Sequence, residues 1–413
     1  MQKIIKPSVV KGSVNAPASK SMMQRAVAAA LLAEGKTIIR NPSFSDDGNA
    51  SIDIARKLGA IIETGEEQVI VNGGFNPKEN EINCGESGLS MRMFTPIASL
   101  YKGEMIVNGK GSLLKRPVTM IEESLSQLGV EINSNNGLLP LKFKGPLQGG
   151  KAFVDGSISS QLLTGLLMAL PVAERDSILT VNDLKSKPYI DMTLQLLSDF
   201  GIEIENDHYQ TFNIKGQQKY KSLDYTVEGD WSGASFLLVA AALNGKVKID
   251  FLQKNSKQSD IEIVKVLEMA GASIDLRDHY IEVEKKILNP FKFDATECPD
   301  LFPPIVALAA HCKGISEIKG AERLKHKESD RATVLQQEFT KLGVKIEVKG
   351  NDMLVYGGKV NGGRIDSNND HRITMAAAVT ALSAESGIVI DGAECVAKSY
   401  PEFFDDLNSI IKK

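Results

Sequence analysis

One phrase recurs along this chain at a nearly constant spacing, always where an amphipathic stretch gives way to an alternating one. It stands as Lys57-Leu58-Gly59-Ala60, Gln127-Leu128-Gly129-Val130, Asp199-Phe200-Gly201-Ile202, Met269-Ala270-Gly271-Ala272 and Lys341-Leu342-Gly343-Val344. Its glycines are separated by 70, 72, 70 and 72 residues. A fixed period of this kind marks a repeated supersecondary unit and restricts the architectures open to the chain. The local pattern predicts a helix closed by a left-handed glycine and followed by a strand.

A second register of glycines supports the first. Gly35, Gly103, Gly245, Gly314 and Gly387 each close an Ala/Leu-rich stretch and open a short β-run, as in Gly387-Ile388-Val389-Ile390; only the third unit, at Ala173-Glu174-Arg175-Asp176, lacks the glycine. Each unit therefore predicts a βαβαββ-like module of the α/β class. Another ~71 residues beyond Gly343 reaches the end of the chain. The sixth unit thus has its second helix, Pro401 to Ile411, without strands after it. The N-terminal segment Ile4 to Val14 has strand character and is expected to complete that sixth unit. Six units then divide into two domains of three, residues 18–228 and residues 1–17 plus 229–413. Two crossings at one place form a hinge that would let the domains close over a ligand.

Length and composition remove several classes. A chain of 413 residues, 42% hydrophobic and 24% charged, is globular and too long for one ordinary core. A net charge of −4 argues against a broad nucleic-acid surface. Cys84, Cys298, Cys312 and Cys395 are widely spaced and form no CxxC pair, so neither a zinc site nor a disulfide framework is expected and a reducing cytoplasm fits. The N-terminus lacks the apolar core of a signal peptide, and no apolar run approaches the ~20 residues needed to cross a bilayer.

Polar clusters stand at the predicted helix starts. They are Ser19-Lys20-Ser21 with Arg25, Gly85-Glu86-Ser87-Gly88 with Arg92, Gly156-Ser157-Ile158-Ser159-Ser160-Gln161, Gly229-Asp230-Trp231-Ser232-Gly233, Pro299-Asp300, and Asn369-Asp370-His371-Arg372. Between helices lie Lys115-Arg116-Pro117, Ser186-Lys187-Pro188-Tyr189, Lys327-Glu328-Ser329-Asp330-Arg331 and Ala397-Lys398-Ser399. If the helix starts converge, Lys20, Arg25, Arg92, Arg116, Lys327, Arg331, Arg372 and Lys398 collect in one cleft. Two like charges ~4 Å apart repel by about 4 kcal/mol at an intermediate effective dielectric, so such a cluster asks for bound anions. Helix N-termini and guanidinium forks suit phosphate and carboxylate.

Ala16-Pro17-Ala18-Ser19-Lys20-Ser21 with Arg25, Val154-Asp155-Gly156-Ser157-Ile158-Ser159-Ser160-Gln161, Ser186-Lys187-Pro188-Tyr189-Ile190-Asp191, Lys327-Glu328-Ser329-Asp330-Arg331 and Asn369-Asp370-His371-Arg372 occur in order. Together they resemble the signatures of the 5-enolpyruvylshikimate-3-phosphate synthases, over Ala16 to Pro401. The resemblance implies the enolpyruvyl transferase fold, a two-domain inside-out α/β barrel with three repeats per domain. It implies transfer of the enolpyruvyl group of phosphoenolpyruvate to the 5-hydroxyl of shikimate 3-phosphate, with release of phosphate, in aromatic amino acid biosynthesis. Lys20, Ser21, Arg25, Ser159, Ser160, Gln161, Ser186, Tyr189, Asp300 and Lys327 would then hold shikimate 3-phosphate. Lys20, Gly88, Arg92, Arg116, Gln161, Arg331, Arg372 and Lys398 would hold phosphoenolpyruvate. Asp300 matches the base for the attacking hydroxyl, Glu328 is the candidate for protonating carbon with Lys398 as rival, and Lys20 touches both substrates. No metal or organic cofactor, no nucleic acid and no membrane partner is implied, and a cytoplasmic monomer is expected.

Each residue also has a plainer reading. Asp300 could be an N-cap, Glu328 and Asp330 helix-dipole partners, Ser159, Ser160 and Ser186 turn hydroxyls, His371 a loop organiser, Trp231 packing near the hinge, and Asp46-Asp47 caps. Glu86 and Met93 depart from the family's usual second helix start, where Met93 replaces a proline, and are expected to alter the helix there. Two rivals remain. A UDP-N-acetylglucosamine enolpyruvyl transferase shares the fold but commonly has a cysteine in the loop that here reads Gly109-Lys110-Gly111-Ser112-Leu113-Leu114-Lys115-Arg116. A non-catalytic anion-binding or RNA-end-binding repeat protein would gain nothing from Asp300 and Glu328 among the cations.

Overall fold

The computed structural model describes every residue except Ile158, His326 and Lys413. The chain divides into two compact units, Lys20–Val227 and Met1–Ser19 with Glu228–Lys413. Ala18, Ser19 and Glu228 join the unit that carries both termini because the two crossing segments pair there. Ala18 bridges Gly229, Ser19 N donates to Glu228 O at 2.8 Å, and Asp230 N donates to Pro17 O at 2.7 Å.

Each unit is built with helices inside and sheets outside. In Lys20–Val227 the inner helices are Lys20–Leu32, Gly88–Ala98 and Gln161–Ala169, and every residue of Gly88–Ala98 is buried. In the other unit they are Trp231–Asn244, Phe302–Ala310 and His371–Ala381. Beyond the polar residues of their first two turns these helices are apolar or small on all faces, so no side of them can be left to water. The second helix of each repeat, such as Asp46–Lys57 or Arg331–Lys341, buries only one stripe and keeps charged residues outside.

The sheets repeat one topology. Gly150–Asp155 runs parallel to Ser177–Asn182, which pairs antiparallel with Thr211–Ile214, and Ile204–Asp207 lies on the far edge. Lys292–Asp294, Gly314–Lys319, Asp352–Gly357 and Lys345–Lys349 repeat that order. Burial alternates along such strands, so each sheet turns one face to the helices and one to solvent. The repeat glycines Gly59, Gly129, Gly201, Gly271 and Gly343 have φ of +118°, +88°, +78°, +92° and +82°. A side chain would be strained at these left-handed positions, which accounts for the glycine at each period.

The N-terminal segment is shared between two sheets instead of serving the sixth unit alone. Gln2–Ile5 pairs antiparallel with Ile388–Asp391 in the sixth sheet, whereas Val10–Asn15 runs parallel to Gly245–Asp250 in the fourth. The cause is local. The fourth repeat enters its inner helix at Trp231 directly from the crossing, so it has no leading strand of its own. The first repeat has the same gap and fills it from its own unit's end, with Asp224–Thr226 parallel to Ala33–Arg40.

Candidate active site

In Lys20–Val227 the starts of the three inner helices are tied together by side chains. Lys20 Nζ lies 2.9 Å from Asp47 Oδ2. Ser45 caps the helix Asp46–Lys57, its Oγ accepting from Gly48 N at 3.2 Å, so the Asp47 carboxylate serves Lys20 and not the helix end. One turn on, Gln24 Nε2 donates to Asp47 O at 2.9 Å and lies 2.8 Å from Ser87 Oγ, the cap of Gly88–Ala98. Arg92 Nη1 donates to Gln161 Oε1 at 2.9 Å, which joins the second start to the third. At Gly88 a Cβ would stand 2.5 Å from Arg116 Nη1 and 3.1 Å from Arg92 Nη1, so a side chain there would push both guanidinium ends aside.

Arg25 is fully buried among neutral oxygens. Its Nε donates to Thr193 Oγ1 at 3.0 Å, Nη1 to Ser21 O at 2.9 Å, and Nη2 to Tyr189 O at 3.4 Å and Thr164 Oγ1 at 3.5 Å. Burial pulls this guanidinium down to about 10, opposed weakly by Tyr189 and Tyr225. Ser159 Oγ accepts from Gln161 N at 3.2 Å, and Ser160 is buried immediately before the helix. Ser186 adopts φ 57° and ψ 46° before Lys187–Asp199 with no cap bond from its hydroxyl, and its carbonyl accepts from Tyr189 N. Ile158, within this motif, lies outside the described residues.

The other unit gathers Asp300, Lys327, Glu328, Arg331 and Arg372 into one ionic cluster. Asp300 Oδ1 lies 3.1 Å from Lys327 Nζ and 3.0 Å from Arg331 Nη1, and its Oδ2 lies 3.3 Å from Arg372 Nη2. Arg331 is 0% exposed and also meets Glu328 Oε2 at 2.6 Å and Asp370 Oδ2 at 2.9 Å. Asp370 accepts from Ser329 Oγ at 3.0 Å and from Arg372 N at 3.0 Å, so one carboxylate both holds the Arg331 guanidinium and caps the helix that carries Arg372. Lys398 Nζ donates to Asn369 O at 2.8 Å, at the loop that carries Asp370.

The charges set each other's protonation. Burial alone would raise Asp300, but Arg372, Lys327 and Arg331 hold it well below the usual carboxylate range. Asp370 is likewise depressed, with Arg331 overcoming its burial. Burial lowers Lys327 while Asp300 partly restores it. Asp300 is not the helix cap, since Phe302–Ala310 begins from Leu301 without a side-chain cap bond. Asp330 does cap its helix, accepting from Thr333 N at 3.4 Å.

Asp47 and Asp370 lie against the cations beside the expected Asp300 and Glu328. One expectation needs correction. Glu86 and Met93 leave the second helix start regular: Ser87 caps it, Met93 is fully buried, and Glu86 Oε2 turns to accept from Ser112 N at 3.0 Å and Ser112 Oγ at 2.9 Å.

Sequence reading gave no role to Gln24, Thr164, Thr193, Asp370 or Asp260. Asp260 is buried at the short helix Ser259–Glu262 and is pushed up to about 6, first by burial and then by Asp300, with Arg372 opposing. Asp370 stood inside a quoted motif and Gln24 between Ser21 and Arg25 of another; Thr164, Thr193 and Asp260 carry no local signal. Among the described residues no group of three or more His, Cys, Asp or Glu is placed to hold a metal ion, and no helix is long and apolar enough to cross a membrane.

Known proteins carry the same arrangement of sequence along their length. The model of the EPSP synthase (3-phosphoshikimate 1-carboxyvinyltransferase) family matches residues 4–407. This chain belongs to that family. A 3-phosphoshikimate 1-carboxyvinyltransferase of Clostridium botulinum (strain Alaska E43 / Type E3) is 39% identical over 417 residues, covering 98% of this chain and 96% of that one. The enzyme of the same name from Clostridium perfringens (strain ATCC 13124) is 38% identical over 413 residues, covering 98% and 97%. Among solved structures, an EPSP synthase from Acinetobacter baumannii superposes with a TM-score of 0.85 at 26% identity, over 99% of this chain and 98% of that one. The two-unit α/β architecture of helices inside sheets is therefore the family's fold, and the chain is an enzyme of that transferase family.

Proposed function

We propose that this chain transfers the enolpyruvyl group of phosphoenolpyruvate to the 5-hydroxyl of shikimate 3-phosphate, releasing phosphate. The observation that carries this reading is Asp300, a carboxylate kept ionised between Lys327, Arg331 and Arg372. A purely anion-binding surface would not spend three cations on its own carboxylate.

In this reading Arg25, Ser21, Ser159, Ser160, Ser186, Tyr189 and Lys327 hold shikimate 3-phosphate, with Gln161 between the substrates. Gly88, Arg92, Arg116, Arg331, Arg372 and Lys398 hold phosphoenolpyruvate, and Lys20 serves both. Asp300 takes the proton of the attacking hydroxyl as its oxygen bonds to the second carbon of phosphoenolpyruvate. Glu328, entering the step in its protonated form, delivers that proton to the methylene carbon, giving a tetrahedral ketal; now a carboxylate, it takes a methyl proton back as phosphate leaves. Arriving anions draw Arg372 and Lys327 away from Asp300, which raises its basicity when a hydroxyl is at hand. Each proton transfer supplies about 10²–10⁴ in rate, and holding two substrates together supplies more. The working form is a monomer in the cytoplasm that acts on free metabolites and not on nucleic acid, in keeping with the net charge of −4.

Mixing the protein with both substrates is expected to liberate inorganic phosphate. Release with UDP-N-acetylglucosamine in place of shikimate 3-phosphate, and none with the latter, would transfer the assignment to the rival enzyme.

A further inference from the structure

Arg25 differs from an ordinary buried arginine in having no carboxylate among its hydrogen-bond partners. Its four bonds fall into two groups. The Nε bond to Thr193 Oγ1 and the Nη1 bond to Ser21 O are of normal length, 3.0 and 2.9 Å, whereas the two from Nη2 are long, 3.4 and 3.5 Å. Bonds stretched this far are weak. The Nη2 edge is therefore the one an anion's oxygens can take over at little loss, while Nε and Nη1 act as anchors.

The Nε anchor depends on how the threonine hydroxyls are arranged. Thr193 Oγ1 donates its single hydrogen to Tyr189 O at 2.8 Å, one turn back on the same helix. Its lone pairs are thus left to accept, one from Arg25 Nε and one from Thr164 Oγ1, which stands 3.2 Å away. Thr164 then donates to Thr193 and turns its own lone pairs toward Arg25 Nη2. Both threonines are fully buried, so water does not substitute for either hydroxyl. Every hydrogen in the ring has one direction, and the guanidinium plane has one orientation.

The geometry points to Thr193, supported by Thr164, as the positioning residue that aims the Nη2 edge of Arg25 at an anionic substrate group. This rests on the reading of Arg25 as part of the shikimate 3-phosphate site. Thr193→Val keeps the shape and removes the acceptor, which strands a charged N–H in a buried place. The guanidinium would then rotate to find another oxygen, and the anion would lose its aligned donor.

The test is steady-state phosphate release together with calorimetric titration of shikimate 3-phosphate into wild type, Thr193→Val, Thr193→Ser and Thr164→Val. Thr193→Val should raise the KM and the Kd for shikimate 3-phosphate about tenfold or more, with kcat and the KM for phosphoenolpyruvate within about twofold. Thr193→Ser should restore both to near wild type, and Thr164→Val should give a smaller rise of the same kind. The proposal is overturned if Thr193→Val binds shikimate 3-phosphate as tightly as wild type, or if Thr193→Ser is impaired equally, which would make the methyl packing the cause. Should Thr193→Val not fold, an unchanged KM in Thr164→Val overturns it. Wild type that neither binds shikimate 3-phosphate nor releases phosphate removes the substrate reading itself, a result separate from any variant's behaviour.

Discussion

Arg25 and Arg331 are both fully buried, one in each unit, and their surroundings are opposite. Arg25 has only neutral oxygens as hydrogen-bond partners and is pulled down to about 10 by burial. Arg331 touches Asp370, Glu328 and Asp300; burial would lower it too, but those three carboxylates push it above its ordinary value. A buried cation without a counterion keeps its field for a ligand. One surrounded by carboxylates spends that field inside the protein, where it orders the groups around it. The unit Lys20–Val227 thus keeps Arg25 among neutral oxygens, while the other unit uses Arg331 to order three carboxylates, a division that suits the proposed roles of Arg25 as a substrate ligand and Asp300 as a base.

That contrast can be broken by substitution. Arg331→Met leaves Asp300, Glu328 and Asp370 without their shared cation, and a buried charge stripped of its partner costs about 3–5 kcal/mol. Urea titration should show that loss in the termini-bearing unit, and an unchanged midpoint would mean the cluster contributes nothing. Asp300→Asn preserves size and should keep the fold while phosphate release falls about 10²–10⁴-fold. Arg25→Met removes a cation with only neutral partners, so stability should change by no more than about 1–3 kcal/mol while shikimate 3-phosphate binding is lost. A larger stability loss than in Arg331→Met would invert the comparison.

Acidity sharpens it further. Asp260 is raised in the folded chain, so the native state takes its proton more readily than the unfolded one and stability falls as pH rises from the ordinary aspartate range to about 6. Asp300 and Asp370 are depressed, so their contribution is present above that ordinary range and disappears as pH drops below it through their folded values. His311, pulled down to about 4 by burial, acts in the opposite sense, since the unfolded chain takes up its proton first as pH falls below its ordinary range. The Asp260 contribution is therefore read as a difference: between pH 7 and about 5 the change in stability measured by denaturation should be more favourable in wild type than in Asp260→Asn by on the order of 1–3 kcal/mol, and both should lose stability below about pH 4.

Much of the fold was legible in order along the chain. Helices apolar on every face could only be interior, and glycines at a fixed spacing marked where each helix turns into a strand, because these are consequences of local sterics and of burial. The candidate site was legible where a motif stood at a helix start, as Asp300, Arg331 and Arg372 did. Other parts depended on neighbours far away in sequence. Thr193 reads as one more polar residue on an amphipathic helix until Arg25, 168 positions earlier, is packed against it. Asp47 reads as a helix cap until Ser45 takes that place and Lys20 meets the carboxylate.

The sequence alone determined the six-fold repetition, the inner helices and which polar residues stand at their starts, since backbone conformation and amphipathic pattern are properties of neighbouring residues. Tertiary structure decided which sheet each N-terminal strand entered and which buried cation received counterions. Open sheet edges and buried charges are satisfied by whatever group the fold brings within hydrogen-bonding distance, and that distance is not written in any local pattern.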